Sequence, residues 1–443
     1  MISVRAKQLV PLLVTALVIC ISPRVHAQDS GLAALAGNLP TRNPGISDGG
    51  IRIGEGGRLH LGIGADVGYD TNVFYQGAQA AISSPLLRVV PYVDLNNQMV
   101  SGGPNLAYSL GATLQYRHYL AGEDRITSAS VRDTISPTLT GAVDFGQQQR
   151  FGVGLFETFS RVEEAPYVST GGAIVRRANL ASVQLRLTPG GGRIQGLARY
   201  NNRYDYFETV AYRAASSLSQ DVYLEVSWRL FPKTALFAGA QQTYVHYLDA
   251  QQTNAPINST RHDSYPFRAT TGLRGLITEK LVAALTVGYG KAFYSSGPSP
   301  SGLGLANAKL GLTYSPTQFS FISLDFQHEF QNSIIGNYFD LDAASLGIRQ
   351  AFADRIVARA FVRLEHRSYS APLDGVAGDR RVDNALSAGA EADYHLKSWA
   401  YAGVAYTALR NTSNAAYRDG LTGTVQTADY VKQQMFVRAG ITY

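Results

Sequence analysis

The sequence ends in QMFVRAGITY, residues 434–443, and this stretch decides the fold. Met435, Val437, Ala439, Ile441 and Tyr443 place an apolar side chain at every second position. The residues between them are mostly polar or small. Successive side chains of a β-strand point to opposite faces, so this alternation predicts a strand with one apolar face and one mixed face.

The aromatic residue at the end of this strand indicates where the protein resides. An alternating strand that closes on an aromatic resembles the terminal assembly signal of bacterial outer-membrane β-barrels, and Tyr443, Ile441 and Val437 would form that signal here. The resemblance implies localisation in the outer membrane and recognition by the barrel-assembly machinery. A large secreted β-sandwich or propeller also alternates and is the soluble alternative.

The beginning of the sequence predicts secretion. Arg5 and Lys7 precede an apolar run over residues 9–21, and small residues lead to an expected cleavage site after Ala27. This order of charge, apolar core and small residues is typical of a secretory signal peptide. Residues 1–27 are therefore predicted to be removed from the mature protein.

The composition of the mature chain excludes several classes of function. Without the signal peptide the chain has 36 basic and 33 acidic residues, a net charge near +3 that does not indicate a nucleic-acid partner. Cys20, the single cysteine, leaves with the signal peptide, so neither a disulfide nor a thiolate metal site is expected. No later apolar stretch approaches the roughly 20 residues that a membrane helix requires.

Alternating apolar residues recur along the rest of the chain. The clearest segment, residues 58–69, places Leu59, Leu61 and Ile63 on one face. Counting all such segments predicts eighteen strands, with sixteen as the alternative. Only a closed barrel satisfies every backbone hydrogen bond inside a bilayer without helices. We therefore predict an all-β fold, a transmembrane antiparallel up-and-down β-barrel over residues 58–443.

The connections between these segments support the same count. Nine long polar loops alternate with eight short turns, which is the asymmetry of outer-membrane barrels between their outer and periplasmic ends. An even number of strands places both ends of the barrel on the periplasmic side. Residues 28–57 are rich in Gly and Pro with little periodicity, so they are predicted to be a flexible periplasmic segment or a plug.

The polar faces of the predicted strands carry many guanidinium groups and a few aromatic rings. Acidic side chains share these faces, so a ladder of salt bridges within the wall is one interpretation. A positively biased conduit for anions or acidic sugars is the other. The aromatic rings would stack on sugars or pack against a plug. The predicted pore-lining residues are Arg88, Arg117, Arg186, Arg199, Arg203, Arg229, Arg268, Arg274, Arg349, Arg359, Arg363, Tyr92, Tyr223 and Phe361.

The sequence does not indicate an enzyme. The seven histidines of the mature chain lack metal-ligand spacing, and no nucleophile, phosphate-binding or dinucleotide motif lies between a predicted strand and helix. We therefore expect no catalytic activity, no cofactor and no bound metal.

The first strand and the loop after it, GRLHLGIGADVGYDTNVF at residues 57–74, suggest a family. Gly68, Tyr69, Asp70, Asn72 and Phe74 match a motif at the start of the β-barrel porin-2 family, which this chain resembles. Members of that family are associated with exopolysaccharide or capsule production, so the resemblance implies an outer-membrane conduit or accessory barrel for a polymer. Asp70 and Asn72 are expected to fix a turn by bonding from side chain to backbone.

Three functions follow from these observations. The leading hypothesis is a pore or scaffold for exopolysaccharide or capsule export, with polysaccharide and periplasmic export components as partners. The alternatives are a general or anion-preferring diffusion porin, and a structural or loop-binding barrel with a plugged lumen. All three place the protein among outer-membrane lipid and lipopolysaccharide.

Overall fold

The computed structural model describes most of the predicted barrel. The described residues are 50–54, 56–97, 105–122, 126, 129–146, 149–164, 174–248, 262–295, 305–334, 337–353, 355–372, 380–418 and 425–443. The predicted signal peptide and residues 28–49 lie outside them.

The described residues form twenty-one strands, one short α-helix, α1 (Ala129–Arg132), and two 3-10 turns, Gly190–Gly192 and Val210–Ala215. The strands are β1 (Ile51–Ile53), β2 (Gly57–Asp70), β3 (Ser84–Asn96), β4 (Leu106–Tyr119), β5 (Asp133–Phe145), β6 (Phe151–Glu164), β7 (Ile174–Leu187), β8 (Ile194–Phe207), β9 (Ser217–Phe231), β10 (Thr234–Tyr247), β11 (Phe267–Thr278), β12 (Leu281–Lys291), β13 (Ala306–Thr317), β14 (Ser320–Asn332), β15 (Tyr338–Phe352), β16 (Ile356–Pro372), β17 (Arg380–Lys397), β18 (Ala400–Ser413), β19 (Ala416–Arg418), β20 (Val425–Thr427) and β21 (Tyr430–Thr442). Alternating apolar residues place the long strands in the extended conformation, as the sequence predicts, whereas the three-residue strands β1, β19 and β20 were not predicted.

Eighteen of these strands, β2 to β18 and β21, form one closed antiparallel barrel. Each strand pairs with its neighbours along the chain, and β21 closes the wall by pairing with β2. The predicted fold class and the count of eighteen are confirmed, and the sixteen-stranded alternative is wrong. Outside the wall, β19 pairs with β20, and β1 pairs with the beginning of β2.

The two ends of the barrel differ in their connections. At the end with the short turns, which is predicted to face the periplasm and is called the periplasmic end below, residues 232–233 alone join β9 to β10. The first and last wall strands meet there through paired backbone bonds between Leu61 and Tyr443 (2.7 and 3.1 Å). At the outer end, residues 414–429 separate β18 from β21. One outer connection is shorter than predicted, because β15 begins at Tyr338 and only residues 333–337 remain between β14 and β15.

The exterior of the wall is apolar. Val67, Leu364 and Val437 are 60%, 56% and 67% exposed and point away from the lumen. An apolar exterior of this size is unfavourable in water but is stable in contact with the acyl chains of a bilayer. The protein is therefore a β-barrel of the bacterial outer membrane.

Strand β10 resolves an ambiguity of the sequence, which has apolar residues on both faces there. Phe237, Val245 and Tyr247 are buried on the inner side, while Leu236 is exposed on the outer side. Among the described residues, no helix is both long and apolar enough to cross a membrane.

Candidate functional site

The inner face of the barrel is the candidate functional site. All eleven predicted pore-lining arginines, together with Tyr92, Tyr223 and Phe361, fall on the register that alternates with the exposed apolar residues. They therefore belong to the lumen side of the wall. The contacts that they make there differ widely.

Seven of the eleven arginines bind carboxylates of the same wall. Most of these pairs lie on the same or adjacent strands, so they connect the wall rather than present free charge to the lumen. Such pairs limit the number of guanidinium groups available to a solute. They are Arg88 with Asp66, Arg117 with Glu163, Arg186 with Asp144, Arg203 with Asp205, Arg274 with Glu225, Arg359 with Glu391, and Arg363 with Glu365.

The other four arginines have no ion pair among the described residues. Arg199 lies over the ring of Tyr223 at 5.5 Å, and Arg349 lies over an aromatic ring of the adjacent strand at 5.6 Å. Arg268 donates a hydrogen bond to the Phe330 carbonyl oxygen (2.9 Å). Arg229 is exposed near the periplasmic end of β9. Aromatic faces attract these cations without neutralising them.

Several inward aromatic rings lie flat on the wall. Tyr92 faces Gly62, and Phe361 faces Gly389, across neighbouring strands. A Cβ atom on either glycine would collide with the facing ring, so glycine is required for this close approach. Phe361 remains 36% exposed, which leaves part of its ring available to the lumen.

A cluster of buried side chains, here called the outer cluster, lies at the outer end of the lumen. It joins Ile174 and Phe207 on β7 and β8 to Phe339, Leu341 and Tyr369 on β15 and β16. Six wall strands separate β8 from β15 in one direction, and eight separate β7 from β16 in the other. The two pairs of strands face each other across the barrel, so the outer cluster bridges opposite walls.

The loop between β8 and β9 contributes to the outer cluster. Its 3-10 turn, Val210–Ala215, inserts Tyr212, which is 1% exposed, among the cluster's side chains. Glu208 fixes the base of the loop by accepting hydrogen bonds from Arg161 (2.9 and 2.8 Å). The Arg161 guanidinium also holds the pKa of Glu208 below its usual range. The loop is thus anchored with its aromatic side chain inside the mouth.

A second buried cluster lies beside the closing strands of the barrel. It contains Val73, Leu86, Tyr119 and Phe436, and Phe74 packs against it. All of them lie toward the outer end or in its loops, as does a third cluster around Phe330. Buried apolar clusters therefore lie at several places around the outer end of the barrel.

The motif that carries the family resemblance ties the first outer loop to the last strand. Asp70 accepts hydrogen bonds from the Asn72 backbone N–H (2.9 Å), the Tyr119 hydroxyl (2.9 Å) and the Gln434 amide (2.8 Å). Its carboxylate also lies 2.6 Å from the Lys432 ammonium. We call these contacts the seam latch, because they connect β2 and β21 where the barrel closes.

The seam latch explains the other motif positions. Asn72 donates to the Gln76 and Val431 carbonyl oxygens (2.7 and 3.0 Å), which fixes the turn as expected. Gly68 faces Phe436, whose ring a Cβ atom would strike, whereas Tyr69 points outward. Sequence reasoning missed Lys432, since an inward lysine far along the chain gives no sign of its partner.

The remaining predicted residues have simpler positions. Val437 and Ile441 are exposed on the lipid-facing side of β21, and Tyr443 is exposed directly after it, so none of them forms a site in the lumen. Their role as an assembly signal stays a prediction. Among the described residues, no group of three or more histidine, cysteine or acidic side chains is placed to bind a metal ion.

Comparisons with known proteins give only distant similarity. No family model and no curated protein matches the chain. The chain is similar to the ferric enterobactin receptor of Pseudomonas aeruginosa, at 10% identity and a TM-score of 0.43 over 87% of this chain and 81% of that one. It is also similar to OccAB3 of Acinetobacter baumannii, at 10% identity and a TM-score of 0.43 over 87% of this chain and 99% of that one. Similarity to the FrpB iron transporter of Neisseria meningitidis is at 8% identity and a TM-score of 0.42, over 87% of this chain and 81% of that one. Similarity at this level does not indicate a function.

Proposed function

We propose that this outer-membrane barrel is a gated conduit for an anionic polymer, of the kind that an exopolysaccharide or capsule presents. The observation that carries the proposal is the outer cluster, which bridges opposite walls of an eighteen-stranded barrel. A barrel of this size encloses an aqueous channel unless something fills it. An apolar bridge at the outer mouth blocks free diffusion and must separate before a polymer passes.

The choice of substrate rests on the lower half of the lumen. Arg349 faces Arg359 across neighbouring strands, and only Arg359 has a carboxylate partner. Arg199 and Arg229 add cationic groups without ion pairs, as described above. Guanidinium groups bind carboxylates and phosphates, and exposed aromatic faces such as that of Phe361 stack on sugar rings. Together these groups suit an acidic sugar polymer.

The gate is tested by ion conductance in planar bilayers. We expect the wild-type protein to conduct little, and Tyr212→Ala to increase the frequency of openings, because it removes a buried ring from the outer cluster. Tyr265→Ala is the matched control, since Tyr265 is a loop tyrosine that is 50% exposed. Wild-type channels that stay open, or a Tyr212→Ala channel as closed as the wild type, would contradict the gate.

The substrate is tested separately on the opened variant. An acidic polysaccharide added from the periplasmic side should block the current of Tyr212→Ala, whereas neutral dextran of equal length should not. Arg349→Gln should weaken this block, since Arg349 has no ion pair in the wall among the described residues. Equal block by both polymers would contradict the anionic substrate and leave the gate intact.

A diffusion porin is the second candidate, and the four arginines without ion pairs favour it. If they bias an open lumen, wild-type channels would conduct continuously and prefer anions. Continuous anion-selective conductance would therefore replace the export proposal with the porin.

A further inference from the structure

The lipid-facing wall carries an unusual pair of side-chain rows on β14 to β18. In the lower row Phe326, Ala344, Leu364 and Leu386 lie side by side across the strands, and the row ends at Arg410. Because these positions alternate with lumen residues, the row faces outward.

The upper row is polar and lies one outward position closer to the outer end. It consists of His328, Asp342, His366, Asn384 and Thr412, paired across the same five strands. The His328 ring nitrogen lies 2.6 Å from Asp342, and the His366 ring nitrogen lies 2.8 Å from Asn384. The wall therefore changes from apolar to polar at this level.

A cavity of about 450 Å³ lies between the two rows. Its position follows from side-chain size, because the small Ala344 stands between Phe326 and Leu364 and leaves a hollow. Arg410 is exposed at its edge and has no ion pair among the described residues. The cavity thus combines an apolar floor, hydrogen-bonding groups above it and one uncompensated cation.

We propose that this groove binds a phosphorylated glycolipid of the outer leaflet. The apolar floor is continuous with the lipid-facing belt, so an acyl chain can fill the hollow over Ala344. The Arg410 guanidinium suits a phosphate group, which it can bind through two parallel hydrogen bonds. Asp342 and Asn384 supply the acceptor and amide groups that bind sugar hydroxyls.

Charge complementarity favours this occupant over a second copy of the chain. The outward positions next to Arg410 on its neighbouring strands are Leu386 and Val431, both apolar. The apolar exterior of a second barrel packed into the groove would leave this guanidinium without a counter-ion, which costs free energy in a low-dielectric medium. A phosphate neutralises the same group.

The experiment uses the mature protein in phospholipid nanodiscs with lipid A added, and bound glycolipid is counted by native mass spectrometry. We expect the wild type to retain lipid A and to bind its dephosphorylated form about tenfold more weakly, the effect of one lost charge-assisted hydrogen bond or more. Arg410→Gln should weaken lipid A binding similarly and leave the dephosphorylated lipid unaffected.

Filling the hollow tests the acyl-chain contact. Ala344→Phe should abolish retention, whereas Ala198→Phe should not, because Ala198 stands between Leu185 and Leu224 on the opposite side of the barrel and has no polar row above it. Retention of lipid A by Ala344→Phe, or equal binding of both lipids by the wild type, would overturn the proposal. The proposal would also be overturned if the wild type formed dimers and Ala344→Phe were monomeric, since the groove would then be an interface between copies.

Discussion

Removing the cation of the seam latch should destabilise the barrel strongly. The side chains of Lys432 and Asp70 are 2% and 0% exposed, and their charged atoms lie 2.6 Å apart. Lys432 also donates a hydrogen bond to the Asn72 carbonyl oxygen (2.9 Å). Lys432→Met keeps the length of the side chain and leaves a buried carboxylate without its counter-ion. Breaking a buried pair in this way costs about 3–5 kcal/mol.

The double variant separates the ion pair from simple packing loss. Asp70→Asn removes the charge and keeps an oxygen that accepts the Asn72 N–H, while its new NH2 group can donate to the Tyr119 hydroxyl oxygen. Combined with Lys432→Met, it should recover about 0.5–3 kcal/mol relative to the sum of the single changes, the range measured for coupled neighbours. The matched control is Arg177→Gln, which removes a 54% exposed partner of Glu208 and should cost less than about 1 kcal/mol.

Urea unfolding in lipid vesicles measures these differences. Trp228 is 43% exposed on the lipid-facing side of β9, and Trp399 is 53% exposed in the turn between β17 and β18, so their fluorescence reports the change of environment on unfolding. Two results would refute the reasoning. One is a loss below about 1 kcal/mol for Lys432→Met, which would make the pair equivalent to a surface salt bridge. The other is strict additivity in the double variant, which would mean that the two charges do not interact.

Three further outcomes test assembly, topology and the wall. Tyr443→Ser should reduce the amount of heat-modifiable barrel in outer-membrane fractions, and normal amounts would count against the terminal signal. An epitope inserted within residues 249–264 should be labelled on intact cells while one within 189–192 should not, and the opposite pattern would invert the barrel. Arg363→Gln should lower thermal stability more than Arg349→Gln, because only the former removes one of the two guanidinium partners of a buried carboxylate, Glu365; equal losses would contradict the assignment of ion pairs.

The lumen also shows where sequence reasoning left alternatives open. The inward register of Arg203 and Arg349 follows from alternation, because a strand turns every second side chain to the same face. Register does not reveal that Arg203 meets Asp205 whereas Arg349 meets an aromatic ring. Those contacts depend on side-chain rotamers and on the stagger between strands. The alternation of apolar and polar residues gives no information about either.

What the sequence by itself determined is the barrel. Each strand is recognised from apolar residues two positions apart, and nearly every strand pairs with the next strand along the chain. Short-range sequence patterns are therefore sufficient to predict the eighteen-stranded wall. Only the tertiary structure decided how the lumen is filled. Phe207 and Tyr369 belong to one cluster although they lie far apart in sequence, and Asp70 meets Lys432 only because the barrel closes. Such contacts form because closure of the sheet brings distant side chains together, and no periodic pattern in the sequence predicts them.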